Sequence, residues 1–175
     1  AIMNEAPVLN LHLDEDLDTT TFTDDSSAGN DATCTVCPKA GSKGQMREAP
    51  VFAGSDKLTV PTDSSLNLSS FSMSLWVKTN RYQTLLQKAN SSGTQRNYAL
   101  NIQPNAMKLE FNFQSSCGEA SATWKNLTSN GSLIEEQWNH ILATYDNSSG
   151  VAALYINGAL DQSGNLGTAI CYTEN

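Results

Sequence analysis

Apolar and polar residues alternate along several short stretches of this chain, with the two-residue period of β-strands. The alternation is clearest in residues 71–78, 97–103 and 108–114. The residues expected to face a core are Phe71, Met73, Leu75 and Val77 in the first stretch, Tyr98, Leu100 and Ile102 in the second, and Leu109, Phe111 and Phe113 in the third. Each stretch is therefore predicted to be a strand with one buried face and one polar face.

Two further apolar runs, Trp138–Asp146 and Val151–Gly158, are separated by the polar link Asn147–Gly150. This is the sequence form of an antiparallel hairpin. The second run ends in Asn157-Gly158, which supplies the positive φ of a tight turn and so starts another hairpin. The pattern predicts a β-meander, preceded at Leu133–Gln137 by a short 3₁₀ or α turn at most.

The polar faces of the alternating strands carry candidate ligand-binding residues. If these strands are neighbours, one surface carries Trp76, Asn101, Glu110 and Asn112. Such a surface suits a sugar, because an aromatic ring stacks on the C–H face of a pyranose while amides and carboxylates bond its hydroxyls. The alternative is that Trp76 only covers the sheet and the amides are solvated. Trp138 and His140 carry the same two interpretations, packing or function.

Composition narrows the class of protein. The 175 residues and 18.8 kDa fit one domain with a sizeable core. A net charge of -8 and a pI near 4.5 argue against nucleic acid and anionic membrane surfaces as partners, because both need clustered Lys and Arg. No apolar run approaches the roughly 20 residues that span a bilayer, and residues 1–5 lack the regions of a signal peptide.

Several motifs follow one another in a characteristic order. They are the segments 9–15, 22–30, 34–41, 52–54 and 71–78, then W-x-H-x-x-x-T-Y-D at 138–146 and L-Y-x-N-G at 154–158. Together they resemble the laminin G-like, concanavalin A-like jelly-roll domains of adhesins, secreted carbohydrate-binding proteins and glycan hydrolases, above all the modules repeated in large bacterial surface proteins. The resemblance implies an all-β, two-sheet antiparallel jelly-roll sandwich that occupies residues 1–175 as a single domain. Family members continue with two more strands that do not follow Tyr155–Gly158 here, so the sandwich is expected to be incomplete at its C-terminal end.

Acidic residues are densest near the N-terminus, in Asp14–Asp18 and in the segment 24–31. Calcium takes about six to eight oxygen ligands from flexible loops, so the chemistry fits. In the resembled family a structural calcium often lies near the N-terminal strand and the loop after it, which implies Glu15, Asp24 and Asn30 as ligands. A solvated acidic loop is the alternative.

The four cysteines are Cys34, Cys37, Cys117 and Cys171. Cys34 and Cys37 are close enough to bridge within one loop, and Cys117–Cys171 is then the remaining pair. Zinc bound by all four is an alternative, although structural zinc usually uses two C-x-x-C pairs and only one is present. A thioredoxin-like redox pair is disfavoured because 38–44 cannot continue as the helix that lowers the thiol pKa. Two disulfides imply an oxidising, extracytoplasmic compartment.

Five N-x-[ST] sequences are candidate N-glycosylation sites, although roughly three or four such matches would arise by chance in a chain this rich in Asn, Ser and Thr. Their acceptors are Asn67, Asn90, Asn126, Asn130 and Asn147.

Catalytic motifs are lacking. Related sandwich enzymes place two Glu residues on one face of a strand, whereas Glu135 and Glu136 are adjacent and would point to opposite faces. We therefore expect a non-enzymatic, extracellular adhesion or carbohydrate-binding module whose partners are glycans or cell-surface proteins, without membrane insertion. The rival interpretations are a structural subunit of a filament or repeat array, with copies joined by strand addition at an incomplete edge, and a glycan hydrolase.

Overall fold

The structure, a computed structural model, describes residues 6–89, 96–104, 106–115, 123–168 and 170. The chain divides into two compact units, Ala1–Asn67 and Leu68–Asn175. That the whole chain forms a single domain, incomplete at its C-terminal end, stays a prediction.

The first unit contains two small antiparallel ribbons and one turn of 3₁₀ helix. β1 (Thr21–Phe22) pairs with β2 (Ala32–Thr33), and β3 (Lys39–Lys43) pairs with β4 (Glu48–Val51). The 3₁₀ turn is Ser64–Leu66, and the Asp63 side chain caps it by accepting from the Ser65 N–H. Phe22 and Ala32 face each other across the first ribbon and are fully buried.

The Cys34–Cys37 disulfide is confirmed and lies in the first unit. Its two Cα atoms are 5.0 Å apart, so the bond closes one tight loop. Cys117 and Cys171 lie outside the described residues, so their pairing stays a prediction.

The second unit is a sandwich of two four-stranded antiparallel sheets, as predicted. One sheet runs in the order β12 (Ala159–Asn165), β11 (Val151–Ile156), β10 (Trp138–Asp146), β5 (Phe71–Lys78). The other runs β6 (Gln83–Ala89), β7 (Arg96–Ile102), β8 (Leu109–Gln114), β9 (Trp124–Thr128). Within the described ranges, no helix has the length and apolar character needed to cross a bilayer.

The core lies between these two sheets and is built from the residues that alternation predicts. Leu100, Ile102, Leu109, Phe111 and Phe113 are at most 2% exposed. On the facing sheet Phe71, Met73 and Val77 are buried and Leu75 is half-buried. Aromatic rings join the layers, with Phe71 4.8 Å from Tyr98 and Phe113 4.9 Å from Tyr145 between ring centroids.

The predicted meander is confirmed as β10, β11 and β12. Asn157 and Gly158 join β11 to β12 with φ angles of 51° and 83°, the left-handed backbone that this dipeptide favours. Asn157 also accepts a hydrogen bond from the His140 N–H at 2.9 Å, so the turn is tied to β10.

Leu133–Gln137 forms no helix, and the predicted 3₁₀ or α turn there is wrong. The buried Asn139 side chain accepts from the Ile134 N–H and donates to the Ile134 and Gln137 carbonyls. Glu136 adopts a φ of 57°, which a right-handed helical turn cannot contain. The segment keeps one backbone hydrogen bond of a turn, from the Gln137 N–H to the Ile134 carbonyl at 3.4 Å, and the Asn139 side chain adds the others.

Candidate functional site

Three of the four predicted ligand-binding residues lie together on the outer face of the sheet β6–β9. Asn101 stands opposite Glu110 in the register of β7 and β8, and Asn112 follows two residues later on the same face. Trp76 does not join them. It lies on β5, which pairs with β10 in the other sheet, so the expected surface of four residues is corrected to three.

The edge strand β9 completes this surface with a different tryptophan. Glu110, Asn112, Trp124 and Asn126 line a groove of about 250 Å³. Asn126 lies opposite Asn112, and Trp124 lies opposite Gln114. Trp124 is 47% exposed and so presents its ring at the surface. Trp124 was not predicted as a site residue, because its strand has little alternation of apolar and polar residues. Asn126 was predicted only as a glycosylation acceptor.

A hydrogen-bond network fixes the polar side chains of the groove. Gln103 Nε2 donates to Glu110 Oε2 at 2.6 Å, and Asn112 Nδ2 donates to Glu110 Oε1 at 2.9 Å. A carboxylate only accepts, so the amide nitrogens of Gln103 and Asn112 must both point towards Glu110. The Asn112 carbonyl oxygen consequently points the other way.

Two acceptors are left without donors by this arrangement. Asn112 and Gln114 are 6% and 3% exposed, although they lie on the face opposite the core. Asn112 Oδ1 and Gln114 Oε1 have no hydrogen-bond partner in the described part of the chain. Buried polar atoms are normally paired, because desolvation without a partner costs about 1–3 kcal/mol. Both oxygens are themselves inaccessible to solvent, so they are unpaired buried acceptors and not contacts open to a ligand.

Trp76 and His140 form a second polar and aromatic patch, on the outer face of the other sheet. Their ring centroids are 5.2 Å apart, and Trp76 is 40% exposed. The His140 Nε2 atom lies 2.9 Å from the Ser74 hydroxyl. Trp76 thus covers its cross-strand neighbour, which supports the interpretation that both side chains pack on the sheet.

Asp24, predicted as a calcium ligand, is occupied by protein donors. Its carboxylate accepts from the N–H groups of Asn10, Ser26 and Asn30 and from the Ser26 hydroxyl, at 2.6–3.0 Å. Burial raises the pKa of Asp24, but these hydrogen bonds outweigh it and lower the pKa to about 2. Four donors use the lone pairs that a cation would need.

The other two predicted ligands have protein partners as well. Glu15 Oε1 accepts from the Thr23 N–H at 3.0 Å, and Asn30 Nδ2 donates to the Val8 carbonyl and the Ser65 hydroxyl. No cluster of three His, Cys, Asp or Glu side chains among the described residues is arranged to hold a metal ion. Glu15, Asp24 and Asn30 thus stabilise this N-terminal region through hydrogen bonds. Calcium binding by them stays a prediction.

The candidate glycosylation sites differ in their hydrogen bonds. Asn126 and Asn130 are both exposed, but the Asn130 side chain donates to the Asp161 carbonyl, and Asn147 accepts from the Tyr145 hydroxyl. Asn67 is the C-cap residue of the 3₁₀ turn. Asn90 lies outside the described residues, and glycosylation stays a prediction at all five positions.

Comparison with known proteins shows the family of this chain and a likeness to a solved structure. Residues 52–175 match the family described as Laminin G, concanavalin A-like lectin/glucanases superfamily. A crystal structure of an S-layer domain-containing protein from Clostridium thermocellum ATCC 27405 aligns with a TM-score of 0.56 and 19% identity, over 93% of this chain and 73% of that one. At this identity the likeness shows the fold alone. No curated protein sequence matches the chain.

Proposed function

This chain belongs to the concanavalin A-like lectin/glucanases superfamily, and we propose that it is an extracellular, non-enzymatic module that binds carbohydrate in the groove beside Trp124. The observation that carries the proposal is the exposed Trp124 ring at the edge of a row of amide and carboxylate side chains. The ring offers a stacking plate, and Glu110, Asn112 and Asn126 offer hydrogen-bonding groups on one side of it. An apolar plate with convergent polar groups suits a pyranose ring.

The groove favours binding over hydrolysis. Glycoside hydrolysis by the usual route needs two carboxyl groups on opposite sides of the scissile bond. Among the described residues Glu110 is the single carboxylate that lines the groove, and both of its oxygens already accept hydrogen bonds. A carboxylate held in that way orients a ligand but lacks the partner that the reaction requires.

A glycan array with the whole chain and two tryptophan variants tests the proposal. Trp124→Ala should lose at least tenfold in affinity for any sugar that the native chain binds. Trp76→Ala is the matched control, because Trp76 is exposed to a similar extent on the opposite outer face and should leave binding unchanged. Circular dichroism checks that both variants fold. An array on which the native chain binds nothing, or equal losses in the two variants, would contradict the proposal.

A structural subunit is the second candidate function. The strands β5 and β12 stand at the two ends of their sheet, and the end of a sheet is where a strand from another copy can add. Such head-to-tail addition would build a fibre or array instead of a closed dimer. Light scattering on the purified chain distinguishes the cases: concentration-dependent polymers support this candidate, and a monodisperse monomer excludes it.

A further inference from the structure

The groove beside Trp124 is lined by a carboxylate, Glu110. Its two oxygens accept from the amide groups of Gln103 and Asn112, at 2.6 and 2.9 Å. Each carboxylate oxygen has a second lone pair, and a carboxylate only accepts, so a ligand group placed beside Glu110 must donate an N–H or O–H. Asn112 Oδ1 and Gln114 Oε1 have no partner within the described residues, but they are inaccessible to solvent and so are not contacts for a ligand.

The groove also carries an uncompensated negative charge. The other residues that line it are neutral. No Lys or Arg among the described residues forms an ion pair with Glu110, and this includes Lys108, two positions earlier in the chain. Lys125 lies between Trp124 and Asn126 but stands opposite Phe113, which faces the core. It therefore does not share the groove face.

The Trp124 ring also favours a positively charged ligand. The face of an indole ring is its electron-rich side and attracts a cation within about 6 Å of the ring centre, with a gain of about 0.5–1 kcal/mol at exposed sites. The Glu110 carboxylate and the Trp124 indole face thus both favour a protonated amine, which carries a positive charge and three N–H donors.

Building on the proposed carbohydrate function, we propose that the groove selects a sugar with a free amine, such as a non-acetylated 2-amino-2-deoxyhexose. The ammonium group is directed towards Glu110, while the sugar ring stacks on Trp124. N-acetylation removes the charge and two N–H donors and adds a carbonyl acceptor. The acetylated sugar therefore binds more weakly than the amine.

Isothermal titration with three matched β-1,4-linked tetrasaccharides, of glucosamine, N-acetylglucosamine and glucose, tests this selectivity. We expect the glucosamine tetramer to bind at least tenfold more tightly than the other two. Glu110→Gln keeps the shape of the side chain and removes its charge. It should reduce the affinity for the glucosamine tetramer about tenfold more than the affinity for the glucose tetramer.

Two controls separate the groove from general attraction between an acidic protein and a cationic sugar. Glu48→Gln changes the net charge equally at an exposed position of β4 and should leave all three affinities unchanged. Trp124→Ala should weaken all three, and thermal melts confirm that each variant is folded.

The outcomes distinguish the two proposals. Equal binding of the three tetramers, or equal effects of Glu110→Gln and Glu48→Gln, overturns amine selectivity and leaves the proposed carbohydrate function standing. Failure to bind any of them, together with a blank glycan array, overturns both.

Discussion

The Asp24 carboxylate is stabilised in its ionised form by four hydrogen bonds. Its pKa of about 2, against an ordinary 3.8, corresponds to about 2 kcal/mol of stabilisation in the ionised state. Asp24→Asn should therefore lower the free energy of unfolding by about 2 kcal/mol at pH 7, because an amide cannot accept from the same four donors. Urea denaturation measures this loss of stability.

The depressed pKa of Asp24 also predicts how the effect of Asp24→Asn on stability changes with pH. Because the folded pKa is depressed, the stabilisation is complete above the ordinary value of 3.8 and disappears as the pH falls towards 2. The difference between Asp24→Asn and the native chain should shrink across that window. Asp25→Asn, exposed and next in sequence, should change stability by less than about 0.5 kcal/mol. A difference that stays constant from pH 7 to pH 2 would contradict the assignment.

At the scale of elements, the turn between β11 and β12 limits what can replace Gly158. Its φ of 83° is left-handed, and a Cβ there would meet no atom within 4 Å. The cost of Gly158→Ala is then conformational alone, about 1 kcal/mol. Gly158→Asn should cost less, because Asn tolerates this backbone better, and Gly158→Val more. Thermal melts that rank the three variants otherwise would show that the turn adopts another conformation.

Asp161 ties β12 to the turn after β9, and so joins the two sheets at one edge. Its carboxylate accepts from the N–H groups of Asn130 at 2.6 Å and Gly131 at 2.9 Å. Asp161→Ala should destabilise the second unit by about 2 kcal/mol, because hydrogen bonds to a charged group are lost. Asp16→Ala, an exposed carboxylate, is the control and should be nearly neutral. Chemical denaturation measures both, and equal effects would refute the role of Asp161.

The sequence determines which face of a strand is buried better than it determines which strands are neighbours. Alternation placed Phe71, Leu100 and Phe111 in the core because side-chain parity is a local property. It could not place β5 beside β10, since that pairing joins residues more than sixty positions apart. Trp76 was misplaced for this reason. Trp124 was missed because only Leu127 of its strand reaches the core, which leaves no periodic signal.

At the scale of the whole molecule, the main core belongs entirely to the second unit. Every residue of the buried cluster lies between Phe71 and Leu154. A fragment of residues 68–175 is therefore expected to fold with a single cooperative melt. Differential scanning calorimetry of the fragment and of the whole chain measures this. A fragment without a cooperative transition would show that the sandwich depends on residues 1–67.

The groove strand β9 has a consequence for how this domain can change. It gives Leu127 to the core, while Trp124 and Asn126 reach the surface. Exposed substitutions away from special contacts usually alter stability by less than about 0.5 kcal/mol. Variation at the codon for position 126 can thus alter the proposed sugar groove with little effect on folding. The same codon is where a display library built on this scaffold is best randomised.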